Sequence, residues 1–318
     1  MRRVAELILQ RLALGILMLF LVSVLIFAGT EILPGDVASA ILGQEATPEA
    51  LEAIRASLHL HDPAIVRYWR WLSAFLEGDL GKSLASGQPV VDQIIFRLKN
   101  TLFLGSLTAC LAVPFALVFG VVAAIYQNRP FDRVITVISL SFISFPEFFI
   151  GYMLILVFAV HLGWFPSLSM VSPRMDLLTR VYAVALPVVT LTLAVVAHML
   201  RMTRTSIIGV MSHPYIEMAF LNGASMARVV VQHALPNAIG PIVSVIALNL
   251  AYLVVGVIVV EVVFVYPGIG QLMVDAVSKR DVPVVQACSL VFATIYIGLN
   301  LVADVVGVVA DPRLRAPK

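Results

Sequence analysis

The sequence predicts an all-α membrane protein of six transmembrane helices. Both termini are expected in the cytoplasm, with a helical outer segment after the first span and a bent connector on the inner face. Three observations predict this. Of 318 residues, 60% are hydrophobic and 13% charged, against about 45–50% and about 25% in an average soluble domain. Such a chain lacks the polar residues to cover a water-exposed surface. Its apolar residues fall into long runs bounded by charges, matching the ~20 helical residues that cross a hydrocarbon core of about 30 Å. Its arginines gather in alternate connections between those runs.

The first run, Leu12 to Thr30, lies between Arg11 and Glu31. Arg2 and Arg3 ahead of it and Ala38-Ser39-Ala40 behind it also fit a signal peptide. The run is longer than such an apolar region, and the small residues lie well past its end. Residues 1–30 are therefore expected to stay as an anchor helix. The outer segment, 31–99, carries two helix signatures. Thr47 precedes Pro48 to Leu60, with acids at 49 and 52, and Asp62 precedes Pro63 to Leu76. The second holds Trp69 and Trp71, which suit either the membrane interface or packing against the mouth of the bundle.

Residues 100–310 form the expected transmembrane domain, with spans at Thr101 to Tyr126, Val134 to Val160, Val181 to Leu200, Ala238 to Val260 and Val282 to Val309. Prolines at 114, 146 and 187 fall within spans and predict kinks rather than breaks, because neighbouring helices satisfy the backbone groups they free. The loop 161–180, with Trp164, Pro166 and Pro173, reads as irregular. Residues 311–318 form a tail. Arg2, Arg3, Arg11, Arg129, Arg133, Arg201, Arg204, Arg228, Arg313, Arg315 and Lys318 then share the inner side, opposed by Glu6, Asp132, Glu217 and Asp311. The longer outer segment translocates regardless of its charge.

The inner connector, 201–237, is long enough to have its own structure. Ser212-His213-Pro214 starts a short helix, Gly223 interrupts it, and residues 225–233 form a second helix that Pro236 stops. A glycine at the corner permits positive φ or close backbone approach.

Chemistry is sparse. Gly81-Lys82-Ser83 mimics the end of a phosphate-binding loop, but the glycine that motif needs five residues earlier is Leu76. His59, His61, His161, His198, His213 and His233 show no zinc-binding spacing, no nucleophile elbow occurs, and Cys110 and Cys288 sit in apolar runs. No catalytic residue, metal or cofactor is expected. A net charge of +2 with no basic run gives no argument for nucleic acid. Glu147 and Asp304 lie within spans, where a charge costs about 2.5–3.5 kcal/mol at the centre and must find a partner or water. Glu147 is a candidate lining residue of a translocation path, and Asp304 reads as structural. Glu261 is expected at the outer interface.

Residues 215–238 resemble the EAA loop of binding-protein-dependent ABC importer permeases, through Glu217, Ala219 and Gly223, then Leu235-Pro236. The likeness runs nearly end to end and is similar to the dipeptide/oligopeptide permease group. It includes Leu33-Pro34-Gly35-Asp36, Gly78-Asp79-Leu80-Gly81-Lys82-Ser83, Ser144-Phe145-Pro146-Glu147-Phe148 to Gly151, Glu261 to Gly270, Arg280 to Gln286 and Asp311-Pro312-Arg313-Leu314-Arg315. Met218 departs from the second alanine of the namesake triplet, and Phe220 and Asn222 stand where relatives often carry basic residues.

The resemblance implies a transport subunit of the bacterial inner membrane, not itself an enzyme. It implies a second homologous permease, two ATP-binding cassette ATPase subunits and an extracytoplasmic solute-binding protein as partners. Tyr215, Glu217, Ala219, Gly223, His233, Leu235 and Pro236 are then the expected ATPase-coupling residues. The implied cargo is di- or oligopeptides or similar small solutes. The rival from another class is an ion-gradient-driven secondary transporter using Glu147 or Asp304.

Overall fold

A computed structural model describes residues 2–32, 47–57 and 61–310. Leu33-Pro34-Gly35-Asp36, Ala38-Ser39-Ala40, the end of the helix expected at Pro48 to Leu60, and the 311–318 tail lie outside the described residues. Among those described there is no strand, only one isolated bridge between Lys82 and Pro89. Five helices are long and apolar enough to cross a membrane, six if a sharply bent pair counts as one span. They are α1 (Arg2–Ile32), α4 (Val90–Ile125), the bent pair α5 (Pro130–Ser144) and α6 (Glu147–Leu154), α8 (Ala185–Met211), α11 (Leu235–Val263) and α13 (Val282–Ala310). The shorter helices are α2 (Pro48–Ser57), α3 (Ala64–Leu76), α7 (Leu177–Ala183), α9 (Pro214–Leu221), α10 (Met226–Val229) and α12 (Ile269–Ser278).

The chain divides into two compact units. The first takes Leu102–Tyr266 with the chain up to Ala13 and from Gly298 on; the second takes Leu14–Thr101 and Pro267–Ile297. The core of the first is a layer of Leu104, Leu186, Leu191, Met199, Leu253, Val257, Val260 and Phe264 from α4, α8 and α11. Arg11 meets Asp304 at 2.9 Å, which fits the structural reading of that acid.

Two expectations about this unit change, and one residue, Glu261, proves to be buried. The third span breaks at Phe145-Pro146, with a bend of 104° between its halves, where a kink was expected. Proline removes a backbone donor and disfavours helix at the residue before it; Phe145 accordingly takes an extended conformation, φ −93° and ψ 136°. Pro114, by contrast, is carried inside α4 without a break. The loop 161–180 ends in α7, which starts on an Asp176 carboxylate accepting from the Thr179 N–H at 3.1 Å. Glu261, expected at the interface, is fully buried. It lies close to Tyr266, also buried, whose phenol burial pushes up to about 12 against the opposing pull of Arg180. Arg180, which also acts on Tyr266, holds its guanidinium 4.1 Å over the Phe103 ring.

In the second unit, Gly78 to Ser83 and Arg280 to Gln286 meet. The buried Asp281 accepts from Ser83 Oγ at 2.5 Å and from the Leu84 and Ala85 N–H groups at 3.0 and 3.2 Å. Ser83, read in sequence as a false phosphate-loop serine, is thus held by a carboxylate. Nearby, Asn100 donates to the Pro267 carbonyl at 2.8 Å and the Ile269 N–H to Thr101 Oγ1 at 2.9 Å. The sequence reading missed α12, although Ile269, Leu272, Met273 and Ala276 follow the i, i+3, i+4, i+7 spacing of one helix face.

Candidate functional site

The connector between α8 and α11 is a rigid elbow. α8 ends at Met211, and Ser212 Oγ donates to the Gly209 carbonyl at 2.8 Å. Pro214 then opens α9 at its first position, where a missing N–H costs nothing. Glu217 lies in the first turn, where the helix dipole favours an acid by about 0.3–1 kcal/mol. The far end of α9 closes by two backbone bonds. Gly223 N–H donates to the Phe220 carbonyl at 2.9 Å and Ala224 N–H to the Ala219 carbonyl at 3.2 Å, the paired bonds of a left-handed helix stop. Gly223 carries φ +81°, the first of the two roles its corner position allows, with open space where a Cβ would lie. Ser225 then caps α10, its Oγ accepting from the Arg228 N–H at 3.4 Å.

One expectation fails here. Pro236 does not stop the second helix. Residues Val230–Ala234 form a wide π-helical turn, and the helix runs on through Pro236 into α11 as one apolar stretch from Met226 to Val263. Pro236 falls at the opening positions of α11, where the loss of its N–H is tolerated. The elbow is therefore continuous with the span that follows it.

The elbow sits on an apolar seat. Ile216, Val229, Val230 and Ala234 are fully buried against Ile207 of α8, Ala124 of α4, and Ala238 and Ile242 of α11. Burying an isoleucine such as Ile216 contributes about 1.5–3 kcal/mol. Of the predicted coupling residues, Ala219 and Leu235 pack on this same seat. Tyr215, Glu217, Gly223 and Pro236 are exposed, and His233 is half-buried, its carbonyl accepting from Asn237 Nδ2 at 2.7 Å. Tyr215, Met218 and Leu221, spaced three apart, present an apolar outward face; Met218 and Leu221 are 58% and 74% exposed. The seat residues escaped sequence reading, though Ile216 and Ala219 already share one helix face by their spacing.

A charge pair reinforces the seat's surroundings. Arg204 of α8 grips Asp132 of α5 with two bonds, Nε to Oδ1 at 2.5 Å and Nη2 to Oδ2 at 2.7 Å. The Asn128 N–H also donates to Asp132 Oδ2, at 2.8 Å. Read in sequence only as members of the inner charge set, these residues in fact tie the α4–α5 turn to α8.

Glu147 begins α6, directly after the break. It is half-buried against α11, so close that a Cβ on Gly256 would lie 2.7 Å from Glu147 Oε2. A second glycine seats the same pair of helices: a Cβ on Gly151 would lie 3.2 Å from Val263, the small-residue contact common between membrane helices. Among the described residues Glu147 has no hydrogen-bonding or charged partner.

The fold and these features define a polytopic α-helical membrane protein with a seated elbow between two of its spans. The chain belongs to the family described as the binding-protein-dependent transport system inner membrane component, which matches residues 116–316, with the corresponding N-terminal region matching residues 4–105. It is 41% identical over 297 residues to the glutathione transport system permease protein GsiC of Escherichia coli (strain K12), covering 93% of this chain and 94% of the relative. The proteins of the same name from Shigella dysenteriae serotype 1 and Shigella flexneri serotype 5b match to the same extent. It is thus an ABC importer permease subunit of the peptide group, residing in a bacterial inner membrane.

Proposed function

We propose that the chain forms half of the path by which a di- or oligopeptide-like solute enters the cell, and that the elbow couples it to a separate ATPase. The exposed apolar face of Tyr215, Met218 and Leu221, carried on a buried seat, is the observation that supports this most directly. A lever gripping that face moves α8 and α11 together, because the elbow is continuous with one and packed on both. In this reading the elbow faces the cytoplasm, in keeping with the arginines around it, and two ATP-binding cassette subunits dock there. A second homologous permease supplies the other half of the path, and an extracytoplasmic solute-binding protein delivers the cargo.

The cargo class rests on the group resemblance and on relatives whose name specifies glutathione, a small peptide. Glu147 lines the path: a half-buried carboxylate without a partner among the described residues needs water or a cation from elsewhere. Membership of a binding-protein-dependent family weighs against the ion-gradient alternative. Asp304, one of its two acids, is moreover engaged by Arg11.

The test is Gly223→Pro or Gly223→Glu in the assembled transporter. Solute uptake and solute-stimulated ATP hydrolysis are expected to fall to background while the chain still inserts in the membrane. Normal uptake in these variants removes the coupling role from the elbow.

A further inference from the structure

Helix α3 has three distinct faces, and together they define how it meets the bilayer. Tyr68, Trp71 and Phe75 turn toward α1 or toward each other. Tyr68 shares a 2.8 Å hydrogen bond with Ser23, and its ring and that of Trp71 lie 5.5 and 6.0 Å from Phe27. Arg67 and Arg70, three residues apart, share a second face. Arg67 pairs with Glu31 and donates to the Asp62 carbonyl at 3.1 Å, while Arg70 meets Asp62 at 2.9 Å. Ile65, Trp69, Leu72 and Leu76 follow i, i+4, i+7, i+11 spacing and make a third, apolar face opposite the arginines. On it, Ile65, Trp69 and Leu76 are 62%, 54% and 78% exposed.

The contacts with α1 give these faces a depth. α1 has an apolar run from Ile8 to Ile32, long enough to cross a membrane and little buried within this chain. The arginine face touches Glu31, at the end of that run. The apolar face touches Phe20, with the Trp69 and Phe20 rings 6.4 Å apart. Phe20 lies eleven residues before Glu31 in the sequence, or about 16 Å along the helix at ~1.5 Å per residue. The charged side of α3 therefore points to the membrane surface and its apolar side toward the bilayer centre. An amphipathic helix lying in a leaflet adopts that arrangement, with arginines reaching up to polar partners.

We propose that α3 is embedded in the leaflet on the Glu31 side of the membrane, with lipid acyl chains covering Ile65, Trp69 and Leu76. The lipid-facing surface of α1 then continues onto α3, and the segment after the first span is anchored within the hydrocarbon rather than resting above it.

The full-length chain carrying Trp71→Phe and Trp164→Phe leaves Trp69 as its single tryptophan. In vesicles of phosphatidylcholine brominated on its acyl chains, Trp69 is expected to lose most of its emission, and in unbrominated vesicles iodide in the water is expected to quench it little. Strong iodide quenching places the face in water and overturns the proposal; protection from both quenchers places it against protein and overturns it as well. Should the double variant misfold, a nitroxide on Trp69→Cys, with Cys110→Ser and Cys288→Ala, gives the same reading in the assembled transporter. It is expected to be accessible to oxygen and shielded from a water-soluble nickel chelate; the opposite pattern, or shielding from both, refutes embedding.

Discussion

The elbow at 212–236 and the turn at 78–89 both join longer helices, yet they keep their shape by opposite means. The turn gathers around a charge: Asp281 is buried and accepts from one hydroxyl and two backbone N–H groups. The elbow buries no charge. Backbone caps at Pro214, Gly223 and Ser225 and an apolar seat under Ile216 set its form, and its one acid, Glu217, points to solvent. The contrast separates a piece that needs only to hold itself from a surface free to meet a partner. The turn uses a buried carboxylate internally; the elbow uses two serine hydroxyls and leaves its carboxylate at the surface.

The contrast breaks most visibly at Asp281. Asp281→Ala removes the acceptor of three donors; the buried one, the Ser83 hydroxyl, costs about 1–3 kcal/mol when left without it, and the half-buried Leu84 and exposed Ala85 N–H groups cost less. The variant is expected to lose most of its folded yield, read by size-exclusion chromatography and thermal melting in detergent. A melting temperature equal to the parent's would mean the turn is held by something else. The next largest effect lies beside the elbow. Asp132→Ala leaves the Arg204 fork unmatched and is expected to cost about 1.5–3 kcal/mol, as for hydrogen bonds to charged groups. The double variant Asp132→Ala with Arg204→Ala should be less damaging than the sum of the single ones, because both remove the same pair. Strict additivity in the melting data would show that the pair contributes nothing.

How legible each region was in the sequence follows the same divide. The elbow is a local structure, written in Pro214, Gly223 and Ser225 within a few residues of one another, and its corner was readable. What it rests on was not: Ile207, Ala124 and Ile242 come from three different helices. The Asp132–Arg204 pair spans 72 positions and the Ser83–Asp281 bond 198. For such residues sequence supplies a charge and, through the arginine pattern, a side of the membrane, but no partner. Proline had no single meaning either. Pro114 is carried, Pro146 marks a break and Pro236 lies within a continuing helix after a wide turn. Neighbouring helices decide which outcome is tolerated, and single-sequence reading does not contain them. The burial of Glu261 was unreadable for the same reason, since it and Arg180 meet Tyr266 only through packing.

A smaller effect is expected at the corner itself. Gly223→Ala asks an L-residue to take φ +81°, at a cost of about 1–2 kcal/mol. The seat should survive, so the chain is expected to fold with a slightly lower melting temperature. Under the coupling reading, ATP consumed per solute moved should rise as the elbow loosens, measured in reconstituted vesicles. An unchanged ratio at a lowered melting temperature would separate the corner's role in stability from any role in coupling.

Glu217→Gln is expected to have the smallest effect on the fold and so tests the contrast most sharply. The side chain is exposed and removing its charge forfeits only the helix-dipole contribution, so stability should change by no more than about 1 kcal/mol. If Glu217 belongs to a docking surface, solute-stimulated ATP hydrolysis should nevertheless fall, and the loss should shrink as salt is raised in both parent and variant, because an exposed charge contact is screened. A variant that melts like the parent and also couples like the parent, at low salt, would leave the apolar face of Tyr215, Met218 and Leu221 as the whole of the contact. Docking would then rest on shape and burial alone, which also fits Phe220 and Asn222 standing where the family often carries basic residues.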